Sequence, residues 1–236
     1  QKVRASTLDP RGNPPIVVAA THGNAECVQV LCQNNIRVDQ PTHKTGDTAL
    51  SLVLGKFTAA NKMPKASMEE QHARNEKARR AWNARLEEVV LTLLELGADP
   101  VTPRHLGATP LHIASYHGFN AAVRLLLSQK YYKINEYGKR VDVSVHVVDK
   151  LVRTPLHRAS SNGHGDVANT LLRFGADPLA RDKFGRSSLQ VGLELQHGAV
   201  VSSILNVWCR ESLHGVPVSK EEMLLRVRLM QQEIHR

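Results

Sequence analysis

The chain has 236 residues, 42% of them apolar but only 4% aromatic, so it can bury a core made mainly of aliphatic side chains. Lysine and arginine total 31 against 22 acidic residues, and the formal charge of +9 favours negatively charged partners such as acidic protein surfaces, nucleic acid or anionic membranes. No apolar stretch is long enough to cross a bilayer and no signal-peptide pattern opens the chain, so we expect a soluble protein without membrane insertion.

The number and spacing of the cysteines indicate the cellular compartment of the protein. Cys27, Cys32 and Cys209 are odd in number and lack metal-ligand spacing, which indicates reduced thiols in an intracellular protein. The cytoplasm is the expected location. Because the sequence opens with Gln1, it is a processed chain or the ordered part of a longer one, and a removed presequence would place it in the mitochondrion or another organelle.

Two segments of the chain repeat one motif. Residues 109–114 and 154–159 read Thr-Pro-Leu-His-Ile-Ala and Thr-Pro-Leu-His-Arg-Ala, and the Gly-Ala-Asp-Pro run at 97–100 recurs at 175–178. Threonine can cap a helix and proline suits its first turn. Glycines at 118, 163, 97 and 175 fit the left-handed positions that end helices. The motif therefore predicts pairs of short helices.

This motif closely resembles the ankyrin repeat, and the resemblance covers roughly residues 12–208. The matching positions Pro14, Thr48, Thr109, Thr154 and Ser187 lie 34, 61, 45 and 33 residues apart, against about 33 for an ankyrin unit. We therefore expect five repeats in an all-α ankyrin-repeat solenoid, with helix-turn-helix units and β-hairpin loops. The first and fifth copies depart most from the motif, which suits capping repeats.

The two long spacings indicate two insertions. We expect an N-terminal extension at 1–11, repeats at 12–210 with insertions at about 56–85 and 131–150, and an amphipathic capping helix at 211–236. That last helix begins at a capping box, residues 219–222, and its apolar stripe is expected to seal the last repeat, with partner recruitment as the alternative.

The first insertion predicts a projecting basic helix. Residues 67–70 form a capping box, and neither proline nor glycine interrupts the chain from Met68 to Leu96. The exposed part of this basic arm carries five cations: Arg74, Lys77, Arg79, Arg80 and Arg85. A solvated charged face is the plain interpretation, but helical turns that bury nothing are marginal in water. We therefore favour a contact with acidic protein or with nucleic-acid phosphate.

The second insertion contains valines at alternate positions from 141 to 147, a period of two that predicts a strand. Tyr137, Gly138 and Lys139 would form the turn before it. This suggests an enlarged β-hairpin finger, and a variable surface loop is the alternative.

Catalytic and metal-binding patterns are missing from the sequence. The resemblance assigns His112 and His157 to hydrogen bonds that brace neighbouring turns, and His22 and His117 recur once per repeat, so they should not converge on a metal. Cys27 and Cys32 do not share a helix face. There is no phosphate loop, nucleophile elbow or kinase signature. We expect no enzyme, no metal, no cofactor and no small-molecule substrate.

The resemblance implies that hairpin tips and first-helix positions form the default binding face. The residues at those positions are Lys44, His105, Leu106, Tyr116, His117, Arg153, Ser161, Asn162, Lys183, Phe184 and Arg186. The leading hypothesis is a scaffold or adaptor that docks an acidic protein as part of a large multi-subunit assembly. The alternatives are a ribonucleoprotein component, whose basic arm and fingers contact RNA phosphates, and a regulatory ankyrin domain of a larger protein.

Overall fold

Helices follow one another in pairs along the chain. The computed structural model describes residues 8–61, 69–128, 130–134 and 139–210. Ten α-helices lie in these ranges: α1 Pro15–Thr21, α2 Ala25–Gln33, α3 Ala49–Asn61, α4 Glu69–Glu95, α5 Pro110–His117, α6 Asn120–Leu127, α7 Pro155–Ser161, α8 Gly165–Arg173, α9 Ser188–Glu194 and α10 Gly198–Arg210. They form five successive pairs, which matches the predicted five repeats.

The pairs stack into a solenoid. Each first helix packs on the next first helix, from α1 through α3, α5 and α7 to α9, and the second helices α2, α4, α6, α8 and α10 do the same. One register position supplies the centre of this stack. Its residues are each exposed by no more than 1%: Ile16, Leu50, Leu111, Leu156 and Leu189. Each repeat thus places one aliphatic side chain at the same buried position, within a core that runs through all five helix pairs.

The helix starts and stops behave as the motif predicts. The Thr109 hydroxyl accepts the backbone N–H of His112 and begins α5, and Ser187 and Gln190 make the equivalent reciprocal box at α9. Gly118 ends α5 in the left-handed conformation, with φ 74°. A Cβ there would also lie 2.6 Å from the His164 ring, so glycine is required both by conformation and by space.

The first insertion lengthens both helices of repeat two. The helix α3 has 13 residues and α4 has 27, against 7 to 9 in repeats one, three and four. The long helix over 69–95 is confirmed, but the extension of α3 was not predicted. In α4 the last turns bury residues such as Leu86 and Leu93, whereas residues 77–81 are exposed. Ser67 and Met68 lie outside the described residues.

The second insertion forms a hairpin that is shorter than the valine pattern predicts. Strand β1 (Tyr132–Ile134) pairs antiparallel with β2 (Arg140–Asp142), with Tyr132 opposite Asp142. The predicted strand over 141–147 is therefore wrong beyond Asp142. Val145 is buried there, so the alternation records packing of the loop on the stack. Tyr137, Gly138 and the helix expected over 211–236 lie outside the described residues.

Candidate protein-binding surface

A row of loops precedes the first helices, and we call these loops fingers one to five. They comprise residues 9–13, 42–47, 103–108, 149–153 and 182–186. Backbone hydrogen bonds join neighbours: the His43 N–H donates to the Gly12 carbonyl at 3.2 Å, and the Lys150 N–H donates to the Leu106 carbonyl at 3.0 Å. The Lys183 N–H likewise donates to the Leu151 carbonyl at 2.9 Å. Backbone hydrogen bonds therefore join finger one to finger two, and finger three through finger four to finger five.

One register position of the fingers is basic. Four residues before the helix cap, successive fingers carry Lys44, His105, Lys150 and Lys183. The three lysines are exposed, and the side chain of His105 lies outside the described residues. Sequence reasoning missed Lys150, although counting back four residues from Thr154 would have found it. We call these four residues the basic row.

Apolar side chains lie beside the basic row. Leu106, Val152 and Phe184 are 56%, 44% and 66% exposed. Leu106 and Val152 also have left-handed backbones, with φ of 71° and 57°, which L-residues with bulky side chains rarely adopt. Exposed aromatic side chains are enriched at the centres of protein interfaces, and charged residues are more typical of the rim around them.

The two arginines predicted for this surface, Arg153 and Arg186, form ion pairs with aspartates at the bases of fingers four and five. The Asp149 carboxylate accepts the backbone N–H of Leu151 at 2.8 Å and of Arg153 at 3.0 Å, and it also accepts the Arg153 Nε at 3.0 Å. Burial raises the pKa of Asp149, but these backbone bonds and the nearby guanidinium groups outweigh it and hold the pKa below its ordinary value. Arg153 thus shapes the finger as well as facing solvent.

Finger five repeats this arrangement. The Asp182 carboxylate accepts the backbone N–H groups of Phe184 and Arg186, both at 2.9 Å, and the Arg186 guanidinium at 3.0 Å. Arg186 also pairs with Glu194 at 3.2 Å and lies 5.2 Å from the centre of the Phe184 ring. The exposed ring of Phe184 therefore lies beside the Arg186 guanidinium, whose position is fixed by its ion pairs with Asp182 and Glu194.

One of the first helices, α5, contributes the exposed aromatic side chain of Tyr116. The Tyr116 ring is 40% exposed and lies 5.7 Å from the guanidinium of Arg158, which donates to Asp149 at 2.7 Å. Arg158 was missed because it replaces an apolar residue of the motif. Ser161 and Asn162 were predicted as contact residues, but both donate to the Arg158 carbonyl and so cap α7 locally. His117 packs edge-on against Tyr116.

The motif histidines have the bracing role that the resemblance implies. The Nε2 atom of His112 donates to the Arg153 carbonyl at 2.9 Å, and that of His157 donates to the Arg186 carbonyl at 3.1 Å. Because a carbonyl can only accept, Nε2 carries the proton, and Nδ1 accepts from the N-cap backbone. Burial lowers the pKa of both rings and keeps them neutral. Each histidine thus ties its repeat to the next finger.

The basic arm is partly described. Lys77, Arg79, Arg80 and Arg85 are exposed on α4, and Arg74 lies on the same helix with its side chain outside the described residues. Within the described ranges no three histidine, cysteine or acidic side chains gather as they would around a metal ion. None of the helices described is both long and apolar enough to traverse a bilayer.

Comparison with known proteins agrees with the fold. A family model described as ankyrin repeats, in three copies, matches residues 80–182. The transient receptor potential cation channel subfamily A member 1 of Drosophila melanogaster is 33% identical over 133 residues, which cover 52% of this chain and 10% of that protein. The B-cell lymphoma 3 protein homolog of Mus musculus is 33% identical over 100 residues, or 42% of this chain and 20% of that protein. Human Rabankyrin-5 is 37% identical over 54 residues, covering 23% and 5%.

Residues 80–182 match the ankyrin-repeat family, and the five stacked helix pairs are consistent with an ankyrin solenoid. The chain spans no more than a fifth of the length of these three relatives. Ankyrin repeats form protein–protein interaction domains, and the fold is typically non-catalytic.

Proposed function

We propose that this chain is a non-enzymatic scaffold or adaptor that docks an acidic surface of a protein partner within a larger assembly. The basic row carries this proposal: the same finger position is occupied by Lys44, Lys150 and Lys183, all exposed. No ion pair to these three lysines is found among the described residues, in contrast to the arginines at the finger bases. Their charges are therefore available to a partner's carboxylates.

Charge complementarity would steer the partner and set its orientation, while apolar contacts would supply most of the affinity. Leu106 and Phe184 lie next to the basic row and are more than half exposed. An acidic surface with apolar side chains between its carboxylates would satisfy both features. The Tyr116 and Arg158 pair extends the same face toward the first helices.

The basic arm would provide a second contact. Lys77, Arg79 and Arg80 lie on α4 ahead of the turns that pack in the stack, so they can reach a neighbour that does not touch the fingers. Two separate basic surfaces on one chain suit a component that bridges subunits of an assembly, and the protein's net charge of +9 agrees with this.

The experiment is purification of a tagged copy from cells, with half of the sample treated with nuclease. A triple variant Lys44→Glu, Lys150→Glu, Lys183→Glu should lose the co-purifying proteins. A matched triple, Arg37→Glu, Arg124→Glu, Arg173→Glu, makes the same charge change at exposed positions outside the fingers and should retain them. Equal loss from both triples would reduce the proposal to a general effect of charge.

RNA phosphate is the alternative partner for the basic arm and fingers. It would be favoured if nuclease released the partners and RNA co-purified, and if Arg74→Glu, Lys77→Glu, Arg80→Glu abolished binding while the finger triple did not. With aromatic residues at 4% of the chain, such binding would rest on backbone phosphates more than on base stacking. Retention of protein partners after nuclease treatment would support the acidic-protein scaffold.

A further inference from the structure

Fingers three, four and five are three consecutive copies of one five-residue turn. In each turn the first residue donates its backbone N–H to the carbonyl of the fifth: Arg104 to Ala108 at 2.8 Å, Asp149 to Arg153 at 3.1 Å and Asp182 to Arg186 at 2.9 Å. The fourth residue of each turn donates its N–H to the carbonyl of the first, at 2.9 Å in all three. Equivalent residues of these turns therefore occupy equivalent places along the stack.

Two rows of residues run across the tips of these turns. The second residue of each turn is basic and belongs to the basic row: His105, Lys150 and Lys183. The third residue is apolar, and we call this set the apolar row: Leu106, Leu151 and Phe184. Two members of the apolar row are more than half exposed, and Leu151 is partly exposed. The two rows run side by side, because their members are neighbours in the chain.

Fingers one and two do not continue this pattern. Finger two has six residues, 42–47, and is closed by the bond from the Thr42 N–H to the Asp47 carbonyl, so its turn is one residue longer. Finger one has the five-residue turn but carries Pro10 and Arg11 at its tip. The paired basic and apolar rows are thus three units long.

The stack fixes the distance between these units. The first helices α5, α7 and α9 pack on one another in succession, and the axes of packed helices lie about 8–10 Å apart. The bonds from the Lys150 N–H to the Leu106 carbonyl and from the Lys183 N–H to the Leu151 carbonyl hold the fingers in the same succession. A basic residue and an apolar residue therefore recur about every 8–10 Å along the stack.

The acidic side chains near the two rows are neutralised by arginines. Three carboxylates and three guanidinium groups form the ion pairs of fingers four and five: Asp149, Asp182 and Glu194 with Arg153, Arg158 and Arg186. The side chains of Asp149 and Asp182 are each 1% exposed. Because these groups balance in charge, the exposed lysines set the positive sign of the potential at the tips.

We propose that the two rows bind an extended segment of the acidic partner, in which a carboxylate recurs at every third residue with an apolar residue next to it. This inference rests on the proposed function and specifies the part of the partner that docks on fingers three to five. Each triplet of the segment would contact one finger, with its carboxylate on the basic row and its apolar side chain on the apolar row.

The polyproline II conformation has the period that this match needs. It has three residues per turn and rises about 3.1 Å per residue, so every third side chain lies on one face, about 9 Å from the next. That distance agrees with the spacing of the fingers. A β-strand with the same sequence would turn alternate carboxylates away from the lysines. An α-helix needs about seven residues to cover the same distance, so it would match the rows with a different sequence period.

Synthetic peptides test the period against the full chain. The probe is an end-labelled peptide of three Glu-Leu-Pro triplets, in which proline favours the extended conformation, and fluorescence anisotropy measures its affinity. The control has the same composition with its three glutamates adjacent. We expect the triplet peptide to bind at least about tenfold more tightly. Tighter binding of a helix-forming peptide with glutamate at every seventh residue would overturn the proposal.

A charge swap tests the register. Lys150 is the middle member of the three basic positions, so Lys150→Glu should weaken binding of the triplet peptide at least about tenfold. A peptide with lysine in place of its middle glutamate should bind this variant, whereas a peptide with lysine in its first triplet should not. Equal rescue by both peptides would overturn the inference.

The apolar row has its own pair of variants. Phe184→Ala should weaken binding of the triplet peptide at least about fivefold, because the exposed ring supplies apolar contact. Val30→Ala, at a side chain that is 55% exposed in the first repeat, should leave the affinity unchanged. Equal effects of the two variants would contradict the role given to the apolar row.

The same peptides separate this inference from the proposed function. If both peptides bind equally and the triple variant Lys44→Glu, Lys150→Glu, Lys183→Glu loses both, acidic docking stands and only the extended triplet segment is wrong. If the triple variant retains both peptides and its partners from cells, the proposed function fails as well.

Discussion

Asp47 and Arg104 form a two-pronged ion pair that joins finger two to finger three. In repeats three and four the link to the next finger is made by His112 and His157, but the equivalent residue of repeat two is Ser51, whose hydroxyl donates to the Thr48 carbonyl within its own repeat. The acidic and basic residues of this pair also stand at different finger positions from those of Asp149 and Arg153 in finger four. The finger-base position that is Asp149 in finger four is Arg104 in finger three, and Asp47 takes the place of Arg153.

Loss of this pair should weaken the stack between repeats two and three. Arg104→Met removes the guanidinium and leaves the Asp47 carboxylate, which is 5% exposed, without its partner. We expect the free energy of unfolding to fall by about 2 kcal/mol, less than the roughly 3–5 kcal/mol of a fully buried pair because Arg104 is partly exposed. Urea unfolding measures this. Arg173→Met on the surface of α8 is the control, and an equal loss there would contradict the assignment.

The buried histidines predict a loss of stability in mild acid. Burial holds the pKa of His112 and of His157 below the ordinary 6.5, so the unfolded chain takes up protons more readily than the folded protein. Stability should therefore be fully present above pH 6.5 and should decrease as the pH falls below that value. The carboxylates of Asp149 and Asp182 have lowered pKa values, so their contribution is lost only in stronger acid.

Urea unfolding at pH 7.5 and pH 5.0 tests this directly. The double variant His112→Gln, His157→Gln should be less stable than the natural chain at pH 7.5 but should lose less stability between the two pH values. An identical loss in both proteins would show that other groups, such as His164, whose pKa is also lowered by burial, control the acid response.

Val152 occupies a position that is glycine in the other four fingers. Its φ is 57°, close to the values of 68° to 82° at Gly12, Gly46, Gly107 and Gly185. We expect Val152→Gly to leave the stability unchanged or raise it by up to about 1 kcal/mol, because relief of strain opposes the greater entropy of the unfolded chain. Gly185→Val should cost about 1–2 kcal/mol. A destabilised Val152→Gly protein would mean that the exposed valine packs more than its accessibility indicates.

Phe57 and Phe119 join the lengthened α3 to repeat three. Their rings stack 4.3 Å apart and 8° from parallel, and Phe119 is 2% exposed. Phe119→Ala should cost about 3–5 kcal/mol as a buried truncation. A double-mutant cycle with Phe57→Ala should give a coupling of about 0.5–1.5 kcal/mol. Phe174→Ala, at a ring that is 47% exposed, is the control and should change stability by less than about 0.5 kcal/mol.

Some predictions from the sequence succeeded because the signals were local. The helix starts at Thr109, Thr154 and Ser187 depend on hydroxyl groups next to the helix, and Gly118 ends its helix through its own backbone freedom. The valine alternation failed as a strand signal because period-two burial also arises in a loop that packs on the stack, as Val145 does. The finger residues were identified individually, but their pairing was not.

The sequence by itself determined the repeat and its helix pairs, because both depend on residues close together in the chain. Only the tertiary structure decided that Arg104 pairs with Asp47, since these two residues are 57 residues apart in the chain. It also decided that Val30, in the first repeat, is exposed. A repeat motif records the surfaces that one unit offers, whereas burial depends on whether a neighbouring unit lies against each of them.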